Sequence, residues 1–195
     1  IADLRAVKQM DLDIKIFRMN RLGIPQDRIA ERLCLARTSF QYHLPKMPVL
    51  ANSANGDLSR GFTIPQVADK HGWTEPMVCS LALEDKNDHD RFKALGWGLR
   101  TWDKWEWNDC DKRFGDDWPG RIPAQMIAHI LCFFSKPDDL ILDPMAGGGV
   151  TPDTCLAMGR RCWSFDMDDR PETRPEIEPF TWGMSSGQGL SWPVS

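Results

Sequence analysis

The residues best placed to do chemistry lie in one stretch, DDLILDPMAGGGVT, at positions 138–151. Leu140, Ile141 and Leu142 form a short apolar run that reads as a strand ending at Asp143. A Gly147-Gly148-Gly149 turn follows, and a helix is predicted from Thr151 to about Met158. Glycines carry no Cβ, so a ligand can come close to the backbone there. The N–H groups of the turn and of the helix start then face a carboxylate or a phosphate. A second strand-like run, 162–165, ends at Asp166, which lies 23 residues after Asp143. That is close to the spacing of about 20 residues at which a carboxylate meets ribose hydroxyls in a nucleotide-binding βαβ unit. The chemistry expected is therefore capture of a nucleoside-containing cofactor. The turn lacks the GxGxxG order of a dinucleotide site, which disfavours a nicotinamide oxidoreductase. An ordinary βαβ unit without ligand is the bland alternative.

The elements that must position this turn are legible around it. Upstream, an αβ unit starts near Gly120. A Trp-rich connector, WDKWEW, occupies 102–107. Before it, IPQVADKHGWTEPMVCSLAL at 64–83 reads as two short helices. Gly72 is placed to cap the first and Thr74 to open the second. Residues 45–62, rich in Pro, Asn, Gly and Ser, read as a linker or loop. The tail from 170 onward is expected to be mostly irregular. The expected fold class is α/β, with N-terminal helical modules followed by the first part of a Rossmann-like domain. The expected division is 1–48, a linker at 49–62, a second helical module with its connector at 63–110, and 111–195.

The first module, 19–44, carries a different chemistry. Pro25 can open a helix with Ile29, Ala30 and Leu33 inward, and Cys34-Leu35 makes a turn. A second helix, 36–43, then faces Leu35, Phe40 and Leu44 inward and leaves Arg37, Thr38, Gln41, Tyr42 and His43 outside. Gln26 opens the first helix. Two short helices with a polar second member fit a helix-turn-helix, in which Gln pairs with adenine and Arg with guanine. An αα-hairpin that only packs is the alternative. Charge is uneven: residues 1–48 hold nine Lys and Arg against five Asp and Glu, while 101–195 hold nine against sixteen. The 195 residues are 42% hydrophobic and 27% charged, with a net charge of -4, which excludes wholesale disorder. No run of 18 apolar residues exists, and the six cysteines show no CxxC spacing, so neither a spanning helix nor a zinc or disulfide framework is indicated. A reduced cytoplasmic protein is expected.

The segment Asp143-Pro144-Met145-Ala146-Gly147-Gly148-Gly149-Val150-Thr151 resembles motif I of the amino-group DNA methyltransferases, Asp-Pro-Phe-x-Gly-Ser-Gly-Thr. Met145 replaces the aromatic residue and Gly148 the serine. Residues 120–139 look like motif X, in which Pro123 and the following helix, here about Ala124 to Phe134, close over the cofactor. RLGIPQDRIAERLCLARTSFQYHL, ending at Leu44, resembles the helix-turn-helix of ParB-type partition proteins, with Cys34 at the usual turn glycine. In that order the pieces look like the ParB-related DNA methyltransferases of bacteria and phages, which modify adenine N6 or cytosine N4. The resemblance implies S-adenosylmethionine as cofactor. It would be held by Asp143, Pro144, Met145, Ala146, Gly147, Gly149 and Thr151, with Asp166 on its ribose, Met167 beside its adenine and Pro123 above. It implies double-stranded DNA as partner, contacted through Gln26, Arg37, Thr38, Gln41, Tyr42 and His43.

Such enzymes also carry an (Asp/Asn/Ser)-Pro-Pro-aromatic catalytic motif, and no Pro-Pro dipeptide occurs in this chain. The expectation is a chain truncated before that motif, with no catalytic residue of its own. Its catalytic half would come from elsewhere or from a second protomer, and the strand edge at 140–143 would be left bare. A DNA-binding regulator or adaptor whose αβ unit is structural is the competing expectation.

Overall fold

A computed structural model describes residues 2–180, with side chains from residue 11 onward. Seven helices come first: α1 (Ala2–Arg21), α2 (Gln26–Arg32), α3 (Arg37–His43), α4 (Lys46–Ser59), α5 (Ile64–His71), α6 (Glu75–Ala82) and α7 (Asp88–Ala94). After the connector come α8 (Ala124–Phe134), β1 (Leu140–Asp143), α9 (Val150–Met158), β2 (Arg161–Asp166) and β3 (Ile177–Pro179). The three strands form a parallel sheet in the order β1-β2-β3, with Asp143 level with Ser164 and Asp166 level with Pro179. The β1-α9-β2 unit and the helix ahead of it therefore stand where the sequence places them. β3 does not: it lies in the stretch expected to be irregular, and Ile177, fully buried, anchors it.

All nine residues of α9 are buried, because α6, α8 and the sheet pack around it. A helix covered on every side needs no solvent-facing polar stripe, and its one charged residue, Asp153, is paired internally. α6 supplies Met77, Val78, Cys79 and Leu81 to the same core. α5 is bounded as the sequence suggests, with Gln66 Oε1 accepting the Thr63 N–H at 2.9 Å and Gly72 in the left-handed region at φ 66°. The expected linker is corrected. Residues 46–59 form α4, which packs on α1, α3, α5 and α6. Met47, Ala54 and Asp57, spaced seven and three apart, bury one face, and Asp57 meets Lys70 Nζ (2.7 Å) and His71 Nε2 (2.8 Å) there. A composition of loop-favouring residues is overridden by this tertiary contact.

Trp73 and Trp97 are buried, whereas Trp102 is exposed. Trp105 and Trp107 lean on His129, which is buried in α8. The His129 Nε2 accepts the Arg100 N–H at 2.9 Å, its Nδ1 faces the Gln125 carbonyl at 2.6 Å, and burial keeps its pKa below the usual value. The neutral imidazole thus ties the connector to the helix that precedes β1.

Among the described residues β1 pairs only with β2, and Leu140 and Leu142 are 43% and 49% exposed. α2 and α3 are joined by the turn 33–36. Cys34 sits there at φ 52°, the left-handed conformation that a side chain disfavours by about 1–2 kcal/mol. The turn thus keeps the geometry that glycine suits, and the sulfur-bearing side chain accepts the strain. Cys34 is exposed, so replacing it removes little packing. Cys34→Gly is expected to raise the melting temperature by roughly 2–4 °C, as a gain of about 1 kcal/mol implies; a lower melting temperature would contradict the strain.

Candidate functional site

Asp143 and Asp166 end neighbouring parallel strands, so both carboxylates stand at the same edge of the sheet, the edge at which open α/β sheets bind ligands. Asp143 Oδ1 accepts the Met145 N–H at 3.1 Å, and Asp166 Oδ2 accepts the Gly147 N–H at 2.7 Å. The second strand end therefore holds the turn that follows the first. Asp166 Oδ1 takes the Asp168 N–H at 3.1 Å. Each carboxylate oxygen keeps a further lone pair for a hydroxyl or an ammonium. Met145 and Met167, just past the two acids, are 77% and 75% exposed. Two large thioethers at the surface beside two carboxylates make an open, half-apolar shelf.

The other residues expected there are placed as follows. Pro144 is half-buried and Ala146 buried, its N–H on the Phe165 carbonyl at 2.9 Å. Gly149 is the N-cap of α9 at φ 83°. Thr151 is buried in the first turn of α9, and Pro123 is the N-cap of α8. The turn is clamped from its inner side by residues to which the sequence reading gave no role. The Asp116 N–H donates to the Gly148 carbonyl at 2.8 Å, and Arg170 donates to the Gly147 carbonyl. Arg170 also stacks its guanidinium 4.3 Å over the Trp118 ring. A Cβ at Gly148 would lie 2.8 Å from Trp118 Cβ and 2.9 Å from the Asp116 carbonyl oxygen. The absence of serine at this position thus follows from the close approach of the 116–118 segment. The only trace of this clamp in the sequence is the pair Arg170 and Arg174, four apart in a Pro-rich stretch.

Behind the clamp lies a buried ion network. Asp153, in the first turns of α9, meets Arg18 of α1 and Arg174, at 3.0 Å for Arg174 Nη1. Arg18 also meets Glu176 at 2.7 Å, and Arg174 Nη2 meets Asp116 at 2.7 Å. The Gly115 N–H adds a bond to Asp153 Oδ2 at 2.6 Å. Burial alone would raise the Asp153 pKa, but the charges and hydrogen bonds of Arg18 and Arg174 outweigh it and hold the carboxyl below its usual value. Both arginines are held above theirs: burial opposes this, and the facing carboxylates prevail.

In the helix pair, Gln26 and the α3 side chains Arg37, Thr38, Gln41 and Tyr42 are exposed. His43 is not, which corrects its placement on the outer face. It is 3% exposed, with Nδ1 2.5 Å from Asp13 Oδ1. The helical period explains this, since position 43 falls three after the buried Phe40 on the same face. The basic excess of the N-terminal segment is largely spent inside the molecule. Arg28 pairs with Glu178, Arg32 with Asp169 at 2.5 Å, Arg21 with Glu84 at 2.9 Å and Lys46 with Asp13 at 3.2 Å. Among the described Lys and Arg of residues 11–48, Arg37 is the one without an ion pair.

A cavity of about 800 Å³ lies between α1–α2 and residues 169–179, and another of about 310 Å³ lies beside Arg91 and Arg160. Neither is lined by the glycine turn. Among the described residues no cluster of three or more His, Cys, Asp or Glu could hold a metal ion, and no helix is long and apolar enough to cross a membrane.

Residues 28–172 match the N6/N4 methyltransferase family, described as DNA methylase, and the chain belongs to that family. The match runs from α2 through the glycine turn and past Asp166. No individual curated protein and no solved structure is matched by the chain.

Two outcomes test this geometry. Gly148→Ser should destabilise the protein by on the order of 1–3 kcal/mol through overpacking against Trp118, read from urea unfolding; an unchanged midpoint would refute the close approach. The Asp153 carboxyl titrates below its unfolded value of about 3.9, so its stabilisation is complete above that pH and is lost as pH falls through the lower, folded value. Asp153→Asn should cost about 3–5 kcal/mol near neutral pH and flatten the acid limb of a melting-temperature profile. An unaltered acid limb would remove Asp153 from the network's titration.

Proposed function

We propose that the chain holds S-adenosylmethionine at the turn between β1 and α9, and that its family activity is methyl transfer to an exocyclic amino group of DNA, adenine N6 or cytosine N4. The observation that carries this reading is the pair of carboxylates, Asp143 and Asp166, at adjacent strand ends and joined through the turn's backbone. The donor set suits the ligand: carboxylates for an ammonium and a ribose diol, and exposed thioethers of Met145 and Met167 for a flat apolar base. Asp166 is assigned to the ribose, Asp143 with the backbone of the Gly147–Gly149 turn to the amino-acid part, and Met167 to the adenine. Pro144, Ala146 and Thr151 shape the turn from within, and Pro123 starts the helix that flanks it. When bound, the cofactor supplies an electrophilic methyl group on a sulfonium. The residues of this chain bind and orient it, and none is assigned to the amine of the target base.

The exposed face of α3 is the proposed DNA-reading surface, with Arg37, Thr38, Gln41 and Tyr42 on it and Gln26 at the start of α2. With so many neighbouring cations internally paired, the face would rely on few phosphate contacts, and its binding should show a shallow salt dependence. A second reading has its own observation. The glycines of the turn abut Trp118, Asp116 and Arg174, so the run is accounted for by packing alone, as in a DNA-binding adaptor with a structural αβ unit.

Calorimetric titration with S-adenosylmethionine separates the two. Saturable binding is expected, weakened about 10- to 100-fold in Asp166→Ala, the loss appropriate to a charged hydrogen bond of about 1.5–3 kcal/mol. No binding by the folded chain would favour the adaptor.

A further inference from the structure

The backbone of the glycine turn can be accounted for group by group. The Ala146 carbonyl accepts the Gly149 N–H at 2.8 Å, and the Gly147 N–H goes to Asp166 at 2.7 Å. The Gly147 carbonyl goes to Arg170, and the Gly148 carbonyl accepts the Asp116 N–H at 2.8 Å. One group is left: among the described residues the Gly148 N–H has no acceptor. A trans peptide is planar, and its C=O and N–H point in opposite directions. Fixing the Gly147 carbonyl on Arg170 therefore turns the Gly148 N–H away from the clamp and leaves it unspent in a buried residue, where a lone donor is costly.

Arg170 is itself held. Its Nη1 lies 3.3 Å from Asp116 Oδ2, its guanidinium lies 4.3 Å over Trp118, and its side chain is only 20% exposed. From this geometry we infer that Arg170 is a positioning residue: it orients the Gly147–Gly148 peptide so that the Gly148 N–H receives the carboxylate of the amino-acid part of S-adenosylmethionine. This rests on the cofactor reading above and adds to it a specific donor and the residue that aims it. Without the Arg170 bond the peptide can rotate, and the donor is lost while the ribose and adenine contacts stay intact.

The test compares two ligands on the full chain. One is S-adenosylmethionine; the other is 5′-methylthioadenosine, which keeps the nucleoside and lacks the amino-acid part. Arg170→Met should weaken S-adenosylmethionine about tenfold, equivalent to about 1.4 kcal/mol, and leave methylthioadenosine within about twofold. Arg170→Lys, which keeps a cationic donor, should recover part of the loss. Should the Met variant fail to fold, Asp116→Asn loosens Arg170 without emptying the space, and the same selective loss of a few-fold is expected. Equal loss of both ligands would show a merely structural Arg170, and no loss of either would show that the peptide needs no such anchor; each overturns the assignment while leaving the cofactor reading standing. A wild-type chain that binds neither ligand overturns both.

Discussion

Two buried arginines facing two buried carboxylates, Arg18 and Arg174 against Asp153 and Glu176, form the constraint on which the rest of the molecule hangs. Arg18 comes from the long first helix, Asp153 from the helix that follows the glycine turn, and Glu176 from the residues just before β3. One cluster thus fixes the N-terminal helices, the turn's helix and the last described strand relative to each other. Two atoms in it, Arg18 Nε and Glu176 Oε2, have no hydrogen-bond partner. Desolvation of four charges offsets much of their mutual attraction, so the cluster is better understood as setting geometry than as adding net stability. Removing one member would leave an uncompensated buried charge.

From that cluster the order runs outward to the site. Arg174 reaches Asp116, Asp116 holds the Gly148 carbonyl and Arg170, and Arg170 holds the Gly147 carbonyl. The glycine turn is therefore set by a backbone N–H and side chains well separated from it in sequence, on both sides. The same use of arginine governs the helical module. Arg28 and Arg32 of α2 bind Glu178, Asp169 and the carbonyls of Pro175 and Ile177, so the first helix of the pair is docked onto the β3 segment. The second helix keeps its polar face outward. Attached at one helix and open at the other, the module keeps the exposed face of α3 fixed relative to the shelf at Asp143 and Asp166.

Much of this was legible in the sequence where local patterns decide. The apolar run before Asp143, the glycine turn and the second strand ending at Asp166 are set by short-range composition, and the helix from Ala124 to Phe134 follows from the resemblance to motif X. The structure places them at the expected residues. What was not legible depends on partners far away in the chain. Lys46–Ser59 reads as a linker because its helix rests on contacts of Met47, Ala54 and Asp57 with other helices. Ile177–Pro179 is too short to announce a strand, and becomes one by pairing with β2. His43 reads as polar and outward, yet Asp13 of α1 draws it in. The clamp was barely legible for the same reason: its two stacked side chains, Trp118 and Arg170, lie more than fifty residues apart.

The central claim is that the glycine turn, not the larger cavity beside α2, receives the cofactor. Hydrogen exchange of the full chain with and without saturating S-adenosylmethionine tests it directly. Slowed exchange confined to residues 143–151 and 164–168 is the predicted result. Slowed exchange at residues 28–34 and 169–179 instead, with the glycine turn unaffected, would contradict it.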